Sequence, residues 1–267
     1  MKKRMVPVAM AVIMALSLAA CGKEKTVSSA EVSETTVSSV EEKEEAVEKG
    51  APAKEETVTE ASVETVAETS VEASEEEEVV ILGRIEDDVY YNDYFGIKIT
   101  PAEGVSLADD SMLDLLNNIT QERLANSDSQ MSKLVSKMLK DGRNIIDAYA
   151  YEGMGLNSLN VTAAYIGEGL NEDFAYALSK MTASSAESIY GPQGMDVESS
   201  EASTLEISGK EIPCVKTAAK VEANGATLDA YILQAIIVID GYEATITAGS
   251  YMEDNTEKLF EMVSLFE

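Results

Sequence analysis

Two cysteines and three pairs of adjacent carboxylates are the side chains whose types and spacing could do chemistry. The thiols are Cys21 and Cys214, and the pairs are Asp87-Asp88, Asp109-Asp110 and Glu253-Asp254. Paired carboxylates can share a proton in acid–base work or gather around a hard cation. Calcium needs six to eight oxygens brought together, and the Asp-x-Asp-x-Asp-Gly spacing that supplies them is absent. Helix capping and turns, where a short carboxylate accepts from backbone N–H groups, are therefore the expected duty of all three pairs. Cys214 lies in the apolar stretch Glu211-Ile212-Pro213-Cys214-Val215, which reads as a strand. A cysteine there is expected to behave as a small buried hydrophobe rather than a nucleophile. The chain has no histidine, which excludes Ser-His-Asp and Cys-His catalysis and a His-ligated zinc site. Carboxylate and Ser-Lys chemistry are not excluded, but no residue singles them out. Trp is also absent, so stacking of a sugar or base would rest on Tyr or Phe. Gly153-Met154-Gly155 falls between two strand-like runs and reads as a hairpin turn, not a phosphate loop.

Cys21 has a more specific setting. A basic start, Met1-Lys2-Lys3-Arg4, leads into an apolar run from Met5 to Ala20 that ends in small residues. These are the three parts of a secretory signal. At 16 residues the run is short of the ~20 that cross a hydrocarbon core, and no stop-transfer pattern follows. The tetrad Leu18-Ala19-Ala20-Cys21 resembles the lipobox of bacterial lipoproteins. The resemblance implies cleavage before Cys21 and a diacylglyceryl thioether on its sulfur. It also implies a protein held by lipid on the extracytoplasmic face of the cell membrane. With Cys21 lipidated, Cys214 would have no intramolecular partner and no disulfide framework would exist. Asn118-Ile119-Thr120 and Asn160-Val161-Thr162 match glycosylation sequons, which a bacterial lipobox discounts.

Composition divides the chain into three parts. Residues 1–20 are the signal peptide and carry +3. Residues 21–78 carry 18 Glu and 5 Lys, and from residue 22 onward contain no Leu, Ile, Met, Phe, Tyr or Trp. Such a segment cannot bury enough apolar surface to offset chain entropy, so it is expected to be a disordered tether. Glu56, Glu60, Glu64, Glu68, Glu72 and Glu76 would stack like charges on a helix, which argues for a self-repelling chain over a coiled coil. From Val79 to Glu267 the chain is apolar enough for a single globular domain, with a net charge of −19 out of −29 for the whole. That acidity repels phosphate backbones, so nucleic acid is not expected as a partner.

Within the domain, Val79–Ile85, Val89–Tyr91 and Tyr94–Thr100 read as strands. A helix is predicted from Asp110 or Ser111 through Leu124, and another over Met131–Leu139 that stops at Asp141-Gly142. Ile145–Tyr151 and Leu156–Ile166 read as strands, followed by a helix from Asn171 to Ile189. The strands Val197–Ile207, Ile212–Val221, Thr227–Ile239 and Tyr242–Ala248 are joined by Ser208-Gly209, Asn224-Gly225 and Asp240-Gly241 turns. A terminal helix is predicted from Leu259, Phe260, Met262, Val263 and Phe266. The class is α+β, an antiparallel β-sheet packed by helices.

The order of these elements, with three local motifs, resembles the Mog1/PsbP-like α/β/α sandwich. The motifs are the opening Tyr94-Phe95-Gly96-Ile97-Lys98-Ile99-Thr100-Pro101, the meander through Asp240-Gly241-Tyr242, and the closing Ser264-Leu265-Phe266. Val105, where an aromatic is common, and the helical insert around residues 111–140 depart from the pattern. The resemblance implies a non-catalytic binding or assembly domain, and it carries over no site residues. No cofactor is expected. The expected partner is an envelope protein. Tyr90, Tyr91 and Tyr94 are expected to serve core and rim packing, with a partner-contact surface as the alternative. The alternative is a solute- or cation-binding lipoprotein serving a transporter.

Overall fold

The computed structural model describes residues 80–153, 155–223 and 225–266. The expected signal peptide (residues 1–20), Cys21 and the expected tether (residues 21–78) lie outside them. Among the described residues, eleven strands form two antiparallel sheets. The larger has seven strands in the order β4-β5-β6-β10-β9-β8-β7. It comprises β4 (Val105–Leu107), β5 (Ile145–Glu152), β6 (Asn157–Tyr165), β7 (Met195–Ile207), β8 (Lys210–Ala223), β9 (Ala226–Ile239) and β10 (Tyr242–Tyr251). The smaller is β1 (Arg84–Glu86), β2 (Val89–Asn92), β3 (Ile97–Ile99) and β11 (Val263–Leu265). The helices are α1 (Asp110–Leu116), α2 (Thr120–Ala125), α3 (Asp128–Lys140), α4 (Glu172–Ser184), α5 (Ala186–Tyr190) and α6 (Thr256–Phe260). The expected α+β class is what this structure shows, with a second small sheet added.

The two faces of the large sheet follow from its registers. Residues directly opposite in an antiparallel pair share a face, and neighbours along a strand alternate. Leu159, Val161 and Ala163 on β6 therefore share a face with Ala248, Ile246 and Ala244 on β10 and with Leu233 and Ala235 on β9. The small sheet, α3 and α6 bury this apolar face through Ile97, Ile99, Met131, Leu139, Phe260 and Val263. On the other face, α4 lays Ala175 and Leu178 against Val215, Ile236 and Val238. Tyr190 of α5 packs beside Ala219, Ala230 and Ile232. Further along this second face the side chains turn polar. Asn160 and Thr162 on β6 stand opposite Thr247 and Thr245 on β10, and Gln234 on β9 completes the row.

Several local choices differ from the sequence expectation. The first strand begins at Arg84 rather than Val79, and Tyr94-Phe95-Gly96 is a turn that leaves only Ile97–Ile99 as strand. The helix expected through Leu124 breaks at Asn117-Asn118. Asn118 takes a left-handed φ of 55°, and the Asn117 side chain leaves the helix to bond Ile146. The helix expected from Asn171 to Ile189 is two, broken at Ser185. At the C-terminus α6 ends at Phe260. Val263–Leu265 then pairs with β3, with Thr100 N–H donating to the Met262 carbonyl and Phe266 N–H to the Gly96 carbonyl. An available sheet edge captures the chain's last turn from the predicted helix. Pro213 lies inside β8, and the β8–β9 pairing stops beside it at Cys214↔Ala235, since proline has no N–H to give the ladder.

Candidate functional site

The carboxylate pairs cap and turn. Asp109 is the N-cap of α1, accepting from Met112 N–H at 2.9 Å and from the Ser111 hydroxyl at 2.7 Å, which hold its carboxyl below the usual range. Asp87 and Asp88 both take left-handed φ angles, 51° and 60°, in the β1–β2 turn. Asp254 accepts from Thr256 N–H and hydroxyl at the start of α6, while Glu253 is exposed. Among the described residues, no three His, Cys, Asp or Glu side chains gather as a metal site would require. Cys214 is buried in β8, and burial pushes its thiol up, away from the thiolate a nucleophile needs. Gly153 and Gly155 have positive φ in the β5–β6 hairpin, as the turn reading expects. Asn160 of the second sequon is buried on β6.

The three early tyrosines do not make one face. Tyr90 is fully buried. Tyr91 stands against Phe266, with Arg84 and Lys98 placed 5.7 and 5.4 Å from its ring centre. Tyr94 packs edge-on against Phe95 and Tyr242 and donates to the Ile239 carbonyl.

One heavily hydrogen-bonded side chain among the described residues is one that sequence reasoning passed over. Asp147 sits at a bulge in β5, where the pairing with β6 shifts between Ile146 and Ala148. The extra residue projects toward the N-terminal segment. Its oxygens accept from Gly83 N–H at 2.9 and 3.0 Å, from Tyr90 hydroxyl at 2.5 Å and from Asn92 Nδ2 at 2.8 Å. Asn92 in turn donates to the Ile81 carbonyl and accepts from Phe95 N–H. One carboxylate thus ties residues 81–95 to the large sheet. Gly83 is required for the approach, because a Cβ there would meet the Tyr91 carbonyl oxygen at 2.4 Å and the Tyr90 ring at 2.5 Å. Gly83→Ala is expected to cost about 2 kcal/mol or more and to lower the thermal midpoint in a calorimetric scan. Beside this carboxylate, Asn117 bonds both the N–H (2.7 Å) and the carbonyl (2.8 Å) of Ile146, as a neighbouring strand would. Arg123 reaches Asp114 at 3.1 Å. The cavity between these groups measures about 80 Å³, room for two or three waters at ~30 Å³ each rather than for a metabolite.

A larger opening lies between the β1–β2 hairpin and β4. It is a groove of about 610 Å³, within the ~300–1,000 Å³ of ligand sites. Ile85, Val89, Pro101, Val105 and Leu107 give it apolar walls, and its charged lining residues are Asp88 and Asp109. β4 is the outermost strand of the large sheet on this side. Sequence reasoning missed it because Val105-Ser106-Leu107 is too short to show a period.

Two buried carboxyls set the pH response. Burial is the largest influence on both Asp147 and Glu243. It raises each above the ordinary carboxylate range, against the hydrogen bonds from Tyr90, Gly83 and Asn92 to the first and from Thr245 to the second. A carboxyl raised in the folded state holds its proton where the unfolded chain has released it. The stability this adds is present below the unfolded value and is lost as pH rises through the folded one. The domain is therefore expected to melt higher near pH 5 than at pH 7. Glu243→Gln, which keeps an acceptor for the Thr245 hydroxyl, is expected to raise the midpoint at pH 7 by about 2–4 °C and to flatten the profile. Differential scanning fluorimetry across pH 4.5–8 checks both, and a profile unchanged by the substitution would contradict the assignment to Glu243.

No family model matches the chain, and no curated protein matches it. Among solved structures it is similar to the solution structure of cyanobacterial PsbP from Synechocystis sp. PCC 6803. That likeness is 11% identical, covers 70% of this chain and 95% of that one, and has a TM-score of 0.37. It is also similar to the crystal structure of LpqN, a protein involved in cell envelope biogenesis of Mycobacterium tuberculosis. There the identity is 8%, the coverage 64% and 83%, and the TM-score 0.31. No residue role passes from either protein to this chain.

Proposed function

We propose that this protein is an extracytoplasmic lipoprotein, anchored through a diacylglyceryl group on Cys21. Its 79–267 domain would be a non-catalytic binding or assembly module for an envelope protein. The position of Cys21 carries the reading: it follows directly on a basic, apolar and small-residue signal pattern. The tether composition supports it. As a coil, its 57 residues would average ~40 Å end to end, and more if self-repelling, which would hold a domain off a membrane surface. The described domain supports it as well, because its carboxylate pairs are spent on caps and turns and its thiol is buried. The test is cross-linking with mass spectrometry in living cells, comparing the intact protein with Cys21→Ala. A specific envelope protein captured only by the anchored form is the expected result.

The alternative, a receptor for a solute or cation, draws on the net charge of −29. A ligand at a hundred times its Kd adds ~2.7 kcal/mol to stability. A thermal-shift screen with metal ions and small metabolites therefore separates the two readings, and no shift is expected for the assembly module.

A further inference from the structure

We propose that the groove between the β1–β2 hairpin and β4 binds an extended peptide segment that pairs with the β4 edge and carries basic residues beside its apolar ones. The inference rests on the binding-module reading and names its site and the chemistry of its partner. Three independent features converge on it. The first is backbone valence. Ala108 N–H donates to the Tyr149 carbonyl at 2.8 Å, and β4 pairs Leu107 with Ala150 and Ser106 with Tyr151. In an antiparallel ladder hydrogen-bonded and non-hydrogen-bonded positions alternate. The N–H and carbonyl of Leu107 and the carbonyl of Val105 therefore turn away from β5 toward the open side, while Val105 N–H is used by the Ala102 carbonyl. An edge in this state is the template for strand addition.

The second feature is the wall. Ile85 and Val89 on one side and Pro101, Val105 and Leu107 on the other are half-buried, so an added strand would find apolar contacts on both flanks. The third is charge. The charged residues of the lining are Asp88 and Asp109, both exposed, with no basic residue among them. Such a lining favours Lys, Arg or an N-terminal ammonium on the occupant. The same charge disfavours the other occupants at hand. Residues 22–78 carry a net −13 and a second copy of the domain −19.

The test uses the full chain from Cys21, made soluble by Cys21→Ser, and a fluorescent peptide Lys-Val-Ser-Val-Lys. Controls are Glu-Val-Ser-Val-Glu and the basic peptide N-methylated at its central residues. The basic peptide is expected to bind more tightly than the acidic one, by about fivefold for each acid–base pair made. Binding should weaken as salt is raised to about 0.5 M and should be lost on N-methylation. Asp88→Asn suits the positive φ of this turn residue and removes its charge, and is expected to weaken binding by about fivefold. Ala102→Trp, at an exposed position of the lining, is expected to abolish it. Equal binding of both peptides, or binding that survives Ala102→Trp, overturns the proposal. So does concentration-dependent dimerisation that Ala102→Trp abolishes, which would give the groove to a second copy. If the peptides fail while cross-linking still captures an envelope protein elsewhere on the domain, the groove assignment fails and the binding-module reading stands. If the native protein carries no lipid on Cys21 while the peptide still binds, the anchor fails and the groove assignment stands.

Discussion

Asp147→Ala is expected to destabilise the domain by about 3–5 kcal/mol, with a fall of about 10 °C in the thermal midpoint. The size follows from what the carboxylate leaves behind. Tyr90 hydroxyl, Asn92 Nδ2 and Gly83 N–H all point at it, and Tyr90 and Asn92 are fully buried. Tyr90 hydroxyl and Gly83 N–H lose their acceptor, and Asn92 Nδ2 keeps only the Ile81 carbonyl, so each bears a desolvation cost, and residues 81–95 lose their tie to β5. Asp147→Asn discriminates this account from a loss of volume. The amide keeps the shape but turns an NH2 toward other donors, so it too is expected to destabilise, although it removes a raised carboxyl. Glu243→Gln is the matching substitution at the other buried acid and is expected to stabilise at pH 7. Opposite signs for these two isosteric changes, read as urea midpoints, are the outcome the hydrogen-bond pattern requires. Tyr90→Phe removes one donor together with part of the need for it, and its cost should fall well below that of Asp147→Ala.

Cys21→Ala is expected to move the protein from the membrane fraction to the soluble one. A single acyl chain gives marginal, reversible binding at ~10⁴ M⁻¹, and each further buried CH2 adds ~0.8 kcal/mol, so two chains hold essentially all of the protein and none holds almost nothing. Among the described residues no helix is long and apolar enough to cross a membrane, and the acidic domain is repelled by anionic headgroups. Cell fractionation with immunoblotting reads the change directly. Protein that stays with the membrane after Cys21→Ala would mean that the apolar run of residues 5–20 is retained as the anchor.

Different parts of this molecule were legible in the sequence to different degrees, for physical reasons. The strands β7 to β10 could be read with nearly correct ends because each turn between them carries Gly after Ser, Asn or Asp, and because residues such as Leu233, Ala235 and Ile237 keep a period of two. Cap and turn duty was legible for Asp109 and Asp254, because a short carboxylate before a helical stretch has few other uses, but the N-cap itself is Asp109 where Asp110 or Ser111 was expected. β11 was not legible. Leu259, Phe260, Met262 and Val263 fit a helical stripe as well as a turn followed by a strand, and only the edge of β3, more than 160 residues earlier, decides between them. Asp147 was hidden by its bulge. In Ile145-Ile146-Asp147-Ala148 it reads as the solvent-facing residue of an alternating strand, and one inserted residue turns it inward to Tyr90. Asn117-Asn118 was a visible pair of poor helix formers, and it was the available signal for the break between α1 and α2. The groove had no sequence signature, since its walls come from β1, β2 and β4, which contribute one or two apolar residues each.

The anchor is tested most directly by mass spectrometry of the N-terminal peptide of the protein extracted from membranes. The expected peptide begins at Cys21 and carries the mass of a diacylglyceryl group on its sulfur. A peptide that still contains Met5–Ala20, or one that begins at Cys21 with a free thiol, would contradict it.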